Sequence, residues 1–366
     1  MKLKPLACIL SLAACAGPLS AASPAFSRPL AYYGLGPDRQ DVFWKSAKGG
    51  IIQAVWHVDE AHKDTWMAHV VVKEGVAAGP VGYIMGDGRQ DLFWLGTEGG
   101  IHQASWLPKD NRWEYNTIVP NGAATVPAVD HGLGDPGRQD LFWPSNDGSL
   151  WQADWDVKEN KWHLRKIVDG GVAPVEPATY HGLNEAGRQD VFYKRADGSL
   201  GQACYFEKRE WKIQQVGGTK VDSAIIAYFG FGDAGRQDTF WRTPEGGIQQ
   251  AMWDGKWNLR TITDHGARSE PAGYWGLSDG RQDLFWMNED GTLGQGMWIT
   301  KKRGWEFRTI GDKGMMASAP AAYMGFSTGR QDVFWVAPDG EITQAVWRDN
   351  KWTIVKPLKE GKHEWW

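Results

Sequence analysis

The chain has 366 residues, 40 basic against 44 acidic for a formal charge of −4, and 23 Trp. It has no basic runs, and phosphate backbones require clustered Lys and Arg, so nucleic acid is excluded as the main partner. Length alone would suggest two or three domains, but a strict internal repeat replaces that expectation with one array.

The N-terminus reads as an export signal. Lys2 and Lys4 form the charged region, residues 6–16 the apolar region, Gly17-Pro18 the break, and Ser20-Ala21-Ala22 a small-residue cleavage site. The apolar run is too short to span a bilayer. Leu12-Ala13-Ala14-Cys15 equally resembles the bacterial lipoprotein box, which would make Cys15 the lipidation site and residues 16–30 a tether. Either reading takes the chain out of the cytoplasm: secreted, periplasmic or lipid-anchored at the cell surface. A membrane would be met only through that anchor. The expected limits are a signal over 1–22, a linker over 23–30, the repeat array over 31–356 and a tail over 357–366. Beyond the signal Cys204 is the one cysteine, expected as a small buried filler.

From residue 31 onward one frame recurs. Arg-Gln-Asp begins at Arg39, Arg89, Arg138, Arg188, Arg236, Arg281 and Arg330, at steps of 45 to 50 residues. Each unit carries four strand signals. Strand A is short and rich in Gly and Tyr, as in Ala178-Thr-Tyr-His-Gly182. Strand B is the Arg-Gln-Asp segment, clearest at Gly137-Arg-Gln-Asp-Leu-Phe-Trp143. Strand C follows an Asp-Gly or Gly-Gly turn and reads Ile/Leu-x-Gln-Ala-x-Trp. Strand D opens at a third Trp column (Trp66, Trp113, Trp162, Trp211, Trp257, Trp305, Trp352) and ends on a β-branched residue. No window has helical periodicity long enough to compete. Seven units of four antiparallel strands predict an all-β, seven-bladed β-propeller. The expected blades are approximately 31–79, 80–127, 128–177, 178–223, 224–271, 272–320 and 321–356. Both strand faces carry apolar groups, as blades sandwiched between neighbours require, and no strand shared between the termini is evident.

Two polar columns are present in every unit: Asp41, Asp91, Asp140, Asp190, Asp238, Asp283 and Asp332 in strand B, and Gln53, Gln103, Gln152, Gln202, Gln250, Gln295 and Gln344 in strand C. Buried polar groups exist to be satisfied, so these are expected as a structural network that pins turns and strands. Carboxylates, amides and indole rings also suit sugars, because hydroxyls take hydrogen bonds and a ring stacks on the apolar face of a pyranose.

The frame Gly-Arg-x-Asp-Val/Leu-Phe, four residues, Asp-Gly-x-Leu and then a strand-C Trp resembles the PLL-like bacterial lectins, which are seven-bladed propellers. The resemblance covers essentially residues 31–355. It implies sugar sites between adjacent blades, lined by aromatics. The residues it points to are the strand-end Trp pairs: Trp44 with Trp56, Trp94 with Trp106, Trp143 with Trp155, Trp241 with Trp253, Trp286 with Trp298, and Trp335 with Trp347. Fungal fucose-specific lectins are similar in layout, but use an Arg and a Glu where Asp and Gln stand here, so the resemblance does not carry fucose over. Gly-Arg-x-Asp-Leu-x-Trp also resembles FG-GAP or VCBS repeats, whose loops hold calcium through several oxygen ligands. Counting back from Asp140, those positions are Pro136, Gly134 and Gly132, so neither calcium nor any cofactor or metal is expected.

The repeat breaks in strand A of units 3 and 4, at Asp130, His131, Tyr180 and His181. Clustered near the axis, these would suit a polysaccharide lyase or hydrolase, with His and Tyr as base and acid. The expected function is therefore an exported multivalent carbohydrate-binding protein whose partners are glycans, with room for an oligomer. The competing readings are that propeller enzyme and a surface scaffold for proteins.

Overall fold

The computed structural model describes residues 26–33, 39–58, 64–84, 88–132, 137–181, 187–206, 210–218, 220–229, 236–275, 281–299, 302, 304–324 and 330–358. They form seven four-stranded antiparallel sheets, each built from consecutive strands, with no helix among them. The blades span 30–72, 76–119, 128–168, 178–217, 226–263, 272–310 and 321–355. In blade 3 the four strands are Ala128–His131, Gln139–Pro144, Leu150–Asp156 and Lys161–Val168, strands A to D from inside outward.

Alternation along each strand sends successive side chains to opposite neighbours. Phe142 turns toward blade 4, where its ring meets Trp211 edge to face. Leu141 and Trp143 turn toward blade 2, in one cluster with Phe93, Ile101 and Val119. Every inter-blade core repeats this exchange, which explains why both strand faces are apolar. Within five blades the C–D pairing shifts by one residue near the start of strand C, a bulge that adds local twist.

The Gly of the B–C turn is required by geometry. Gly148 has φ 78°, and its amide donates to the Ser145 carbonyl at 3.0 Å, closing the turn. The Gly148 carbonyl then accepts the Val172 amide at 2.9 Å, just beyond strand D. The next amide, Ala173, donates to Lys194 of blade 4 at 2.9 Å. The link between blades is thus stitched to both. Antiparallel pairing puts the B–C turns and the links at one end of the strands, and the last residues of strands A and C at the other.

Among the described residues each blade is closed by its own four consecutive strands, and no strand is shared between the two ends. Trp66 of blade 1 meets Phe334 of blade 7 edge to face, repeating the inter-blade contact. Leu358, in the segment read from sequence as a tail, is 6% exposed and packs with Trp44, Ala68 and Tyr323. At the other end Phe26 donates its amide to Ala317 at 3.1 Å, and Arg28 donates to Glu176 at 2.8 Å. Residues 26–30, read from sequence as linker, therefore belong to the ring: an apolar Phe and a charge with a partner across the axis hold them there. The signal segment and Cys15 lie outside the described residues.

Candidate functional site

The Arg-Gln-Asp triplet is a clamp between blades. Asp190 is fully buried and accepts three donors: Arg188 Nε at 3.0 Å, Gln202 Nε2 at 3.1 Å, and Gln237 Nε2 from blade 5 at 3.2 Å. The first and second come from its own blade, the third from the next copy of the triplet. The same inter-blade bond joins Gln90 to Asp41, Gln139 to Asp91, Gln189 to Asp140, and Gln331 to Asp283. Gln40 and Gln282 are buried in the same register, Gln282 beside Asp238. Burial pushes the Asp140, Asp238, Asp283 and Asp332 carboxyls above the usual carboxylate range, against the opposing pull of the neighbouring Arg. These columns are enclosed and present no oxygen to a ligand.

The tryptophans divide by strand. Those of strand B (Trp44, Trp94, Trp143, Trp241, Trp286, Trp335) are each at most 6% exposed and offer no face to a sugar. Nor do they pair with the strand-C Trp. Trp44 lies opposite Ile52 while Trp56 lies opposite Gln40; Trp286 lies opposite Gly294 while Trp298 lies opposite Gln282. The pairs expected from sequence are corrected by register, since the two rings sit at opposite ends of the B–C hairpin. The strand-C Trp pairs instead with the strand-D Trp directly across. Ring centroids are 5.6 Å apart for Trp106–Trp113, 5.4 Å for Trp155–Trp162, 5.4 Å for Trp253–Trp257, 5.8 Å for Trp298–Trp305 and 5.5 Å for Trp347–Trp352. Trp56 faces Trp66 in the same register, and blade 4 substitutes Tyr205 against Trp211.

Two residues beyond each strand-D Trp comes an apolar side chain on the same face. Tyr115, Leu164, Ile213, Leu259, Phe307 and Ile354 are all at least 40% exposed. They lean on the preceding blade: the Tyr115 hydroxyl donates to the Val71 carbonyl of blade 1 at 2.6 Å. Six inter-blade grooves at the rim therefore share one wall of two aromatic rings and an exposed apolar group. Blade 1 has Ala68 at that position, 6% exposed, so the groove between blades 7 and 1 lacks the outer apolar group. The strand-D Trp column was visible in the sequence. Its exposed follower was missed, although it sits at a fixed two-residue offset.

The opposing wall is polar and varies. Opposite the strand-C Gln, strand D places His69, Asn116, Arg165, Gln214, Arg260 and Arg308 in blades 1 to 6, and Val355 opposite Gln344 in blade 7. Arg165 lies 5.6 Å from the Tyr205 ring centroid, Arg260 5.5 Å from that of Trp298, and Arg308 5.2 Å from that of Trp347. Each is an arginine of one blade over an aromatic of the next.

The strand-A break does not converge. Asp130 accepts Gln189 Nε2 from blade 4 at 3.1 Å, so it joins the structural network. His131 turns the other way, its ring 4.5 Å from Tyr83 of blade 2. Tyr180 donates to the Arg236 carbonyl toward blade 5, and burial holds its phenol well above the ordinary range. The side chain of His181 lies outside the described residues. Asp156, Glu159 and His163 gather at the C–D turn of blade 3, but Asp156 Oδ1 accepts the amides of Lys158 and Glu159, and Glu159 pairs with Lys161. Cys204 is buried and its thiol is raised by desolvation, so it is inert packing.

No protein-family model and no curated protein sequence matches the chain. Solved structures do. The BP39L lectin of Burkholderia pseudomallei superposes with a TM-score of 0.77 at 20% identity, over 92% of this chain and 99% of that one. The Aleuria aurantia lectin, described as a six-bladed β-propeller with a novel fucose recognition mode, superposes at 0.53 with 15% identity over 78% of this chain and 97% of its own. SapL1 lectin, solved with α-methyl fucoside, gives 0.55 at 16% identity over 78% and 98%. The chain therefore shares the propeller fold of these lectins.

Proposed function

We propose that the protein is an exported, multivalent carbohydrate-binding protein with sugar sites in the inter-blade grooves of the rim. One observation carries this reading: an aromatic pair with an exposed apolar neighbour recurs in six grooves, each facing a polar or cationic side chain from the preceding blade. A pyranose has one apolar face and an edge of hydroxyls, and such a groove offers a ring to the first and donors to the second. Weak sites repeated around one rigid ring gain avidity on a multivalent glycan surface. The BP39L, Aleuria aurantia and SapL1 proteins are lectins, which supports the same reading. Export rests on the N-terminal signal-like segment, with Cys15 as the candidate lipid attachment. Glycan-array screening followed by native mass spectrometry tests the proposal. Several equivalents of one sugar per chain are expected. Absence of binding to every glycan class, or a single equivalent held near the axis, would refute it.

A further inference from the structure

The grooves share an aromatic wall but differ in charge. Grooves 1/2, 2/3 and 4/5 face that wall with His69, Asn116 and Gln214, whereas grooves 3/4, 5/6 and 6/7 use Arg165, Arg260 and Arg308. The three arginines are not equivalent. Arg165 donates Nε to Gln152 Oε1 at 2.6 Å and lies 3.9 Å from Asp154, so its charge is answered inside the groove. The strand-C residue that is Asp154 in blade 3 is Met252 in blade 5 and Met297 in blade 6. There, among the described residues, the guanidinium donates to a thioether instead of a carboxylate, at 3.4 Å for Arg260 and 3.1 Å for Arg308. Among the described residues neither arginine has a carboxylate within 4.0 Å. Glu306, on the same strand face as Arg308, is paired with Lys302.

Thioether sulfur is a weak acceptor, and an indole face attracts a cation without taking up its N–H groups. Each guanidinium therefore keeps most of its donor fork for a ligand, beside an apolar wall that strengthens its field. Sequence explains why the two grooves are alike: a Met in strand C and an Arg in strand D recur in consecutive blades, with Trp298 and Phe307, then Trp347 and Ile354, on the facing wall.

We propose that grooves 5/6 and 6/7 take saccharides bearing an anionic substituent, a carboxylate or a sulfate ester, with Arg260 or Arg308 as counter-charge and the aromatic wall holding the ring. This rests on the carbohydrate-binding reading and adds a substrate class to it. Grooves 1/2, 2/3 and 4/5 carry His69, Asn116 and Gln214 in place of that arginine and suit neutral sugars at that position.

The test is calorimetric titration of the full chain with tri-galacturonic acid, with its fully methyl-esterified form, and with a sulfated galactose trisaccharide. The acid or the sulfate ester should bind about 10- to 100-fold tighter than the methyl ester, as a charge-assisted bidentate contact implies. Which of the two binds more tightly identifies the anion. Arg260→Gln with Arg308→Gln should reduce that preference to within about threefold and remove two anion equivalents, while the Lys counterparts retain part of it. Arg165→Gln should leave the preference intact. Unchanged melting temperatures confirm that the variants are folded. An acid and ester of equal affinity in the wild type, or a preference that survives both Gln substitutions, overturns the inference and leaves the carbohydrate reading standing if neutral sugars bind. If no saccharide binds, acidic or neutral, both fall.

Discussion

Asp190 shows why Arg-Gln-Asp is repeated as a block rather than as three separate preferences. Its carboxylate is buried with three donors, and each residue of the triplet supplies one link: Asp accepts, Arg neutralises within the blade, and Gln ties the blade to its predecessor. Asp190→Ala would strand the Arg188 guanidinium and two amides in the interior, and should cost about 3–5 kcal/mol, read as a lowered denaturation midpoint. Gln237→Leu removes one amide of similar volume and should cost about 1 kcal/mol. The buried carboxyls also set a pH response. In Asp140, Asp238, Asp283 and Asp332 the folded state holds the proton more tightly than the unfolded chain does. A carboxyl raised in this way contributes stability below its unfolded pKa and loses it as pH rises through the folded value. Acidification from neutral through the carboxylate range should therefore bring no loss from these four groups. Calorimetric melting at neutral and mildly acidic pH checks this; a steep acid loss that disappears in the corresponding Asn variants would contradict it.

At the scale of the strand, much was legible. The period of the triplet gives seven blades, the Gly of each B–C turn marks the hairpin, and alternation tells which residues share a face. Alternation does not give depth. Trp241 and Trp253 both stand in apolar strand positions at a hairpin, and the same pattern describes each. Strand B lies inside, with Trp241 enclosed, while the far end of strand C reaches the rim, with Trp253 half-buried against Trp257. Nothing in a two-residue period encodes that radial difference. The charge of each groove was equally hidden, because it arises between Arg260 of one blade and Trp298 of the next, 38 positions apart in sequence. The two tryptophans should separate by substitution. Trp241→Ala opens a core cavity and should cost about 3–5 kcal/mol. Trp253→Ala should cost less than half as much and remove one sugar equivalent, counted by native mass spectrometry. Equal stability losses, with the sugar count unchanged, would place the groove elsewhere.

At the scale of the ring, the question is what joins the ends of a chain whose sheets are each made from one continuous stretch. Packing of blade 7 on blade 1 is one part. The other is the segment before the first strand, which bonds to the blade 6–7 link through Phe26 and sends Arg28 to Glu176, before blade 4, with Glu270, before blade 6, at 4.0 Å. Arg28 thus ties three separate parts of the ring together near its axis. Glu176 is raised above the usual carboxylate range by burial, with the Arg28 charge opposing that rise. Replacing Arg28 by Leu removes the opposition, so the Glu176 carboxyl should rise further and its ionised form should become the destabilised one. The side chains keep about a quarter of their exposure, so the loss at neutral pH should be about 1–3 kcal/mol, below that of a fully enclosed pair. The sign of its pH dependence follows: with a higher folded pKa, the variant recovers stability as pH falls and Glu176 takes up a proton. Denaturant midpoints of wild type and Arg28→Leu at neutral and mildly acidic pH should therefore converge on acidification, and adding Glu176→Gln to Arg28→Leu should restore most of the neutral-pH loss. A deficit of equal size at both pH values, unrelieved by the second substitution, would mean that residues 26–30 hold the ring through Phe26 and the backbone alone.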